Sequence, residues 1–419
     1  MTASIAGAGW LVDPRLQRLF RVIARDGDEA LAVGGAVRNT LMGLPVNDVD
    51  IATTATPPTV MARAERAGLK PVPTGIDHGT VTVVVDGHPF EVTTLREDIE
   101  THGRHATVRF GRDWNADAQR RDFTMNALYA TPDGRVRDLV GGIEDCIARR
   151  VRFIGRPEDR IREDYLRILR FFRFHAAYGH GAPDAAGLAA CIQARDGLDR
   201  LSAERIGQET AKLVVAPGAP ATAAIMSDCG LLQRVLGGAA DLAGFARLHA
   251  VARDAVVAPG GKADWPLFLA ALAVWTEADA PRLVERLRLP GAARDRMALA
   301  VAMARGIGTD FDEAAARRLL YRAGEVGHRD ALALAAARGR IAADDAFAHH
   351  LALPWRWRAP RLPIGGRDLM AAGIERGPRI GDLLAEAETL WLASDFALTG
   401  GELMARLALT PLPEPVPRT

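Results

Sequence analysis

Residues 31–54 read LAVGGAVRNTLMGLPVNDVDIATT, and this stretch decides the fold prediction. The apolar run from Leu31 to Val33 predicts a buried strand, which Gly34 and Gly35 interrupt before a helical pattern begins. A turn from a strand into a helix presents backbone N–H groups where anions such as phosphates are favoured. The stretch therefore predicts an α/β unit with an anion-binding turn.

Two aspartates, Asp48 and Asp50, lie near the end of the same stretch. Side chains alternate faces along a strand, so we expect both carboxylates on one face of one strand. Neighbouring carboxylates repel each other unless a cation lies between them, and Mg²⁺ combines one or two carboxylates with substrate phosphates. An Asp-x-Asp pair alone is common in turns and exposed strands, but next to the glycine turn it predicts a magnesium site.

The composition is that of an ordinary globular protein with 419 residues, 48% of them hydrophobic and 25% charged. The net charge of +1 means that any nucleic-acid-binding surface must be local. The three cysteines are far apart and form no CxxC pair, which argues against disulfides and a zinc site and favours the reducing cytoplasm. The longest apolar segment is too short to span a bilayer, so no membrane partner is expected.

Local patterns along the first 150 residues or so predict a small α/β domain with a mixed or largely antiparallel sheet. Residues 14–25 and 59–67 have helical patterns, and strand-like runs at 81–85 and 90–95 flank an Asp-Gly turn typical of a hairpin. Residues 96–119 show no periodicity and predict a mobile loop. From about residue 147 onward, helical patterns dominate.

The sequence RRDFTMNALYA, residues 120–130, places Asp122 and Asn126 four positions apart. If the segment is a helix, these side chains share a face, and an acceptor beside an amide suits the hydroxyl pair of a ribose. Arg120 and Arg121 at the start of such a helix could then contact phosphate oxygens. On the spacing alone, an ordinary helix start is the simpler interpretation of this pattern.

The sequence EDYLR, residues 163–167, places Asp164 and Arg167 three positions apart. On one helix face they present an acceptor beside donors, which matches the edges of cytosine and adenine but not of uracil or guanine. A routine surface salt bridge is the simpler interpretation of the spacing alone.

Together, GGAVR, the Asp-x-Asp pair followed by IATT, RRDFTMNA and EDYLR resemble the motifs of the nucleotidyltransferase branch that holds CCA-adding enzymes and bacterial poly(A) polymerases. The resemblance implies template-independent addition of CCA to tRNA 3′ ends from CTP and ATP. It also implies two Mg²⁺ ions held by Asp48 and Asp50, Glu91 as a possible third acid, and no DNA partner. One residue departs from the motif, because Asn39 follows Arg38 where the family has aspartate.

The resemblance also assigns the remaining roles and the domains. The predicted fold class is α+β, with a nucleotidyltransferase head of mixed sheet followed by an all-α neck, body and tail at 1–147, 148–215, 216–352 and 353–419. The predicted nucleotide-binding residues are Gly34, Gly35, Arg38, Arg121, Asp122, Asn126, Asp164 and Arg167. A poly(A) polymerase, a CC-only or A-only enzyme, and a non-catalytic RNA-binding protein remain alternatives, and the tail is the expected tRNA contact.

Overall fold

The computed structural model describes residues 3–102, 105–252 and 264–407, and it divides the chain into two compact units. The first unit comprises residues 1–238 and 286–288, and the second comprises 239–285 and 289–419. This is a division into two parts, and the boundaries of the four predicted domains stay a prediction.

The first unit contains all the described strands and eleven α-helices. The strands are β1 (Ala30–Val33), β2 (Asp50–Thr53), β3 (Lys70–Gly75), β4 (Thr80–Val85), β5 (His88–Thr94), β6 (Arg96–His102), β7 (His105–Phe110), β8 (Leu128–Ala130) and β9 (Val136–Asp138). The helices are α1 (Pro14–Ile23), α2 (Gly35–Leu41), α3 (Pro57–Arg66), α4 (Trp114–Gln119), α5 (Gly142–Ile147), α6 (Pro157–Glu163), α7 (Leu166–Tyr178), α8 (Ala185–Gln193), α9 (Ala203–Leu213), α10 (Ala219–Asp228) and α11 (Leu231–Leu236).

The second unit is helical throughout its described part. Its helices are α12 (Leu242–Val251), α13 (Trp265–Ala273), α14 (Asp279–Leu287), α15 (Gly291–Arg305), α16 (Glu313–Ala337), α17 (Asp345–Leu351), α18 (Leu353–Arg356), α19 (Gly366–Ala371), α20 (Pro378–Ala393) and α21 (Gly400–Arg406). The last two residues of α14 belong to the first unit. Helix α16 has a kink at Gly324. Among the described residues, no helix combines the length and the apolarity that crossing a lipid bilayer demands.

A seven-stranded sheet in the order β3-β4-β5-β2-β1-β8-β9 forms the centre of the first unit. Only the β2–β5 pair is parallel, so the sheet is mixed, as the sequence predicts. Strand β1 lies inside the sheet and is buried along its whole length, which explains its unbroken apolar sequence. The predicted α+β fold class is confirmed.

The predicted hairpin is present between β4 and β5. Val85 pairs with His88, and the two residues between them, Asp86 and Gly87, both have positive φ angles of 48° and 79°. Such angles are those of the tight turn that Asp-Gly favours between twisted strands.

The prediction of a loop over residues 96–119 is wrong. Strands β6 and β7 pair with each other in a separate two-stranded sheet, and α4 follows with its N-terminus capped by the side chain of Asp113. Gly103 and Arg104 lie outside the described residues. A hairpin that pairs only with itself can be held by backbone hydrogen bonds, so it does not require the apolar alternation by which strands are recognised in a sequence.

Candidate active site

The glycine turn lies at the end of β1, where Gly34 has a φ of 69° that favours glycine. A side chain at Gly34 would contact the backbone oxygen of Asn126 at 3.5 Å, so the turn packs closely against a neighbouring segment. The N–H of Gly34 donates to the carbonyl oxygen of Leu128 at 2.9 Å and is therefore used inside the fold. Anion binding at this turn would fall to Gly35 and the residues after it.

The acids predicted to bind metal lie at or near the N-terminal end of β2 and on the strand beside it. Asp50 is the first residue of this strand, and it pairs in register with Glu91 on the parallel strand β5. Paired residues of neighbouring strands lie on the same face of a sheet, so the two carboxylates are neighbours. Partial desolvation raises the pKa of Asp50, and the negative charges of Glu91 and Asp48 raise it further, whereas Arg121 lowers it.

Asp48 does not lie on the strand, contrary to the prediction of a shared strand face. Residues 45–49 form neither helix nor strand, and β2 begins only at Asp50. The charge of Asp48 nevertheless contributes to the raised pKa of Asp50. The spacing of the two aspartates predicts a strand that already includes Asp48. Pro45 and Asn47, just before it, are residue types that strands disfavour, and β2 begins only after them.

Asp122 and Asn126 are in contact, although not on one α-helix as predicted. A 3₁₀ turn over Thr124–Asn126 brings Asn126 Nδ2 within 2.9 Å of Asp122 Oδ1. Arg170 on α7 donates to Asp122 Oδ2 from Nε at 2.8 Å and from Nη2 at 2.5 Å. Burial opposes ionisation of Asp122, but the charge of Arg170 and the hydrogen bonds from Asn126 and Arg170 outweigh it and lower the pKa.

Arg120 and Arg121 follow the end of α4 rather than starting a helix, so that prediction is wrong. Both pair with the buried carboxylate of Asp117, Arg120 at 2.6 Å and Arg121 at 3.0 Å. Tyr129 also donates to Asp117, at 2.7 Å. The buried acid thus fixes Arg121, whose other face borders the cleft described below.

Asp164 and Arg167 do not form a pair with each other, which corrects the prediction of one helix face. Asp164 has an extended backbone between α6 and α7, and its carboxylate pairs with Arg205 on α9 at 2.6 Å. Arg167 Nη1 donates to Glu163 at 2.5 Å and to the backbone oxygen of Arg160 at 2.8 Å. Each residue is therefore held by a partner of its own.

Arg38 is buried behind the cleft, only 6% exposed, instead of facing it. Its Nη1 donates to Asn126 Oδ1 at 2.6 Å, and its Nη2 donates to the hydroxyl of Tyr178 at 2.7 Å. The guanidinium also stacks on the Tyr178 ring, 4.0 Å from the ring centre. These contacts make Arg38 a residue that positions the site rather than one that meets the nucleotide directly.

The Asp138 carboxylate caps the segment that leads into α5. It accepts from the backbone N–H groups of Val140, Gly141, Gly142 and Ile143 at 2.9–3.1 Å. A Cβ atom at Gly142 would lie 2.3 Å from the carbonyl oxygen of Thr124, so only glycine fits there. These contacts give the segment a structural role.

A cleft of about 370 Å³ collects most of these residues. It is lined by Val33, Gly34, Gly35, Asp50, Arg121, Asp122, Asn126, Asp164, Arg167, Arg170 and Phe174. The cleft joins Asp50, at the start of β2, to arginines of α7 and to acids that lie outside the helices, Asp122 and Asp164. Such a surface suits a ligand with several phosphates, a sugar and a polar base.

Comparison with known proteins identifies the family. Residues 30–152 match the family model of the poly A polymerase head domain. The mitochondrial CCA tRNA nucleotidyltransferase 1 of Danio rerio is 33% identical over 398 residues, which cover 93% of this chain and 89% of the relative. The chain belongs to the CCA tRNA nucleotidyltransferase family.

Two further comparisons extend this family assignment. The CCA-adding enzyme of Limosilactobacillus fermentum is 32% identical over 86% of this chain and 88% of its own length. The solved structure of the Bacillus stearothermophilus CCA-adding enzyme in complex with CTP superposes with a TM-score of 0.76 at 27% identity, covering 94% and 96% of the two chains. The chain is therefore a nucleotidyltransferase with the α+β fold of CCA-adding enzymes.

Three cleft residues of this family member, Val33, Arg170 and Phe174, are absent from the predicted site. Arg170 and Phe174 both lie on α7, in a segment where arginines recur every three or four residues. That recurrence predicts local positive charge, but it does not distinguish Arg170 from Arg173, which instead pairs with Glu209. Only the fold brings Arg170 to Asp122.

The acids of this nucleotidyltransferase fit a hard divalent cation. Asp50, Glu91 and Asp48 provide only carboxylate oxygens, and burial together with the charges of Glu91 and Asp48 raises the pKa of Asp50. Within the described ranges, no three potential metal-binding side chains converge into a complete site. Mg²⁺ requires fewer protein ligands when substrate phosphates and water supply the others.

Proposed function

We propose that this chain adds C, C and A to the 3′ ends of tRNA, using CTP and ATP as substrates. The observation that carries the proposal is the cleft that Asp50 lines together with Asp122, Asp164 and Arg167. The names of the relatives, and the CTP bound in the Bacillus stearothermophilus structure, support the same substrates.

The reaction joins the tRNA 3′-oxygen to the α-phosphorus of the nucleotide and breaks the bond to the β-phosphate, so pyrophosphate leaves. Asp48 and Asp50, with Glu91 beside them, would hold two Mg²⁺ ions. Bound Mg²⁺ supplies Lewis-acid stabilisation of the attacking hydroxyl oxygen and of the departing pyrophosphate. Gly35 and Arg121 would bind the triphosphate, while Arg38 and Gly34 maintain the turn beside it.

Asp122 and Asn126 would position the ribose, because both lie in the cleft and are fixed by each other. Asp164 and Arg167 would recognise the base. Within the part of the chain that the structure describes, the side-chain hydrogen bonds of Arg167 all use Nη1, so its Nη2 can donate to a base. Asp164 can accept from the amino group that cytosine and adenine share.

Replacing Arg167 by Ala should relax the choice of base more than it slows the chemistry. Without the guanidinium, the wrong bases no longer leave a buried donor unsatisfied, which normally costs about 1–3 kcal/mol. We expect misincorporation of UMP and GMP to rise by about ten-fold or more relative to CMP. Single-nucleotide extension of tRNA with each of the four nucleotides measures this.

The matched control for this variant is Arg162→Ala, which removes an exposed arginine of α6 that pairs only weakly with Asp159, at 3.2 Å. Rejection of UTP and GTP should be unchanged in the control. Equal rejection in Arg167→Ala and the wild type would contradict the base-reading role.

A tRNA transcript that lacks its 3′ CCA tests the function directly. Incubated with Mg²⁺, it should gain two residues from CTP alone and three from CTP with ATP. A long ladder from ATP alone would indicate a poly(A) polymerase. Addition that stops at CC, or that extends only a tRNA already ending in CC, would indicate a partial enzyme.

A cytoplasmic location is also a proposal. The three cysteines are free thiols, as expected for a reducing compartment. The Danio rerio relative is named as mitochondrial, so fractionation of cells expressing the tagged chain is the deciding measurement.

A further inference from the structure

Asn39 connects two parts of the site that are otherwise separate in the sequence. Its Oδ1 accepts from Arg38 Nε at 3.1 Å and from Arg38 Nη2 at 2.9 Å. Its Nδ2 donates to the backbone oxygen of Pro45 at 2.8 Å. One side chain thus holds an arginine behind the cleft and the segment that leads to Asp48.

Of an amide and an ionised carboxylate, only the amide can make both of these contacts. Guanidinium groups donate and never accept, so the atom facing Arg38 must be an acceptor. Carbonyl oxygens accept and never donate, so the atom facing Pro45 must be a donor. An ionised aspartate supplies the acceptor but places a second acceptor against the Pro45 carbonyl.

The contacts of Arg38 carry this link onward to the cleft. Asn126 accepts from Arg38 Nη1 through Oδ1, and it donates through Nδ2 to Asp122, at 2.6 Å and 2.9 Å respectively. Asn126 therefore uses its amide as Asn39 does, as an acceptor toward Arg38 and a donor on the other side. A continuous series of hydrogen bonds runs from Pro45 to Asp122.

Residues 45–49, at the Pro45 end of this series of hydrogen bonds, have no regular secondary structure to hold them in place. Asp48 stands three residues after Pro45. The backbone N–H of Leu44 also donates to the backbone oxygen of Asn39, at 2.8 Å. That bond fixes the start of the segment, while the side-chain bond to Pro45 fixes the position nearer the acid.

We propose that Asn39 is a positioning residue that fixes the segment carrying Asp48 relative to the nucleotide cleft, through the series Pro45–Asn39–Arg38–Asn126–Asp122. The inference rests on the proposed function, in which Asp48 binds Mg²⁺. The amide in place of the family's aspartate is then a gain of one restraint rather than a loss of a metal ligand.

Two substitutions separate the two contacts. Asn39→Asp keeps the acceptor for Arg38 and loses the donor to Pro45, whereas Asn39→Ala loses both. We expect Asn39→Asp to raise the Mg²⁺ concentration for half-maximal tRNA extension about five-fold, with the KM for CTP unchanged at saturating Mg²⁺. Asn39→Ala should show the same Mg²⁺ effect and should also raise the KM for CTP.

Hydrogen–deuterium exchange provides a readout that does not depend on activity. The amides of residues 46–49 should exchange faster in both Asn39 variants than in the wild type. The control is Asn115→Asp, which adds the same charge at an exposed position in the first turn of α4. It should leave exchange, Mg²⁺ dependence and KM unchanged.

The outcomes distinguish the two hypotheses. The positioning role is overturned if exchange over residues 46–49 in Asn39→Asp matches that in Asn115→Asp, or if Asn39→Asp raises the KM for CTP as much as Asn39→Ala does. If the wild-type chain does not extend tRNA, the proposed function fails, and the exchange experiment still decides whether Asn39 restrains this segment.

Discussion

Replacing Asp50 by Asn should lower the kcat for both CMP and AMP incorporation by at least about a thousand-fold. Asp50 is the acid that both lines the cleft and lies in register with Glu91. Its amide counterpart has the same size but cannot supply the negative charge that a divalent cation requires. Loss of both activities is expected because one catalytic centre would serve C and A addition. End-labelled tRNA extended with saturating CTP and ATP measures the change.

Asp86→Asn is a matched control for this variant. Asp86 lies in the exposed turn between β4 and β5 and has a positive φ, which asparagine also tolerates. The activity of Asp86→Asn should equal that of the wild type. Asp50→Asn should still bind tRNA with unchanged Kd. It should also melt at or above the wild-type temperature, because the substitution removes the electrostatic repulsion between neighbouring carboxylates. Retained turnover in Asp50→Asn would rule out its role as a metal ligand.

Of the variants considered, Asp122→Ala should lower the stability of the fold the most, and it should also weaken nucleotide binding strongly. The buried carboxylate accepts hydrogen bonds from Arg170 and Asn126, and its removal leaves both donors without this partner. We expect the free energy of unfolding to fall by about 3 kcal/mol and the KM for both nucleotides to rise. Urea denaturation and steady-state kinetics measure the two effects.

The pH dependence of stability provides an independent check on Asp122. Its pKa in the fold lies below the ordinary value, so its contribution is present above the pKa of an unfolded aspartate and is lost as the pH falls through the folded pKa. Wild-type stability should therefore decline toward acid more steeply than that of Asp122→Ala. Equal acid dependence in the two proteins, or an unchanged midpoint in urea, would contradict the role given to this ion pair.

The sequence predicted those parts of the fold that depend on interactions between residues close together in the chain. Asp86 and Gly87 specify a tight turn whatever surrounds them, and the apolar run of β1 requires a buried strand. Residues 96–119 were mispredicted as a loop because β6 carries one apolar residue, Ile99, and the apolar alternation of β7 spans only six residues.

Eight of the predicted site residues line one cleft, but the contacts that hold them were not predictable. Spacing along a helix suggested that Asp164 pairs with Arg167, yet the fold supplies Arg205, 41 positions away, as the partner of Asp164. Asp122 likewise pairs with Arg170, 48 positions away. Ion pairs between distant segments depend on how helices pack, and a single sequence contains no periodic signal for that.

Gly142 has no side chain and lies outside the cleft, yet its close approach to Thr124 lets it influence the reaction. Any substituent there must push on the short turn that ends in Asn126, two residues from the contact. Harmful inherited variants of this chain should thus occur at Gly142 as well as among the charged residues, and a survey restricted to groups that meet the nucleotide would overlook them.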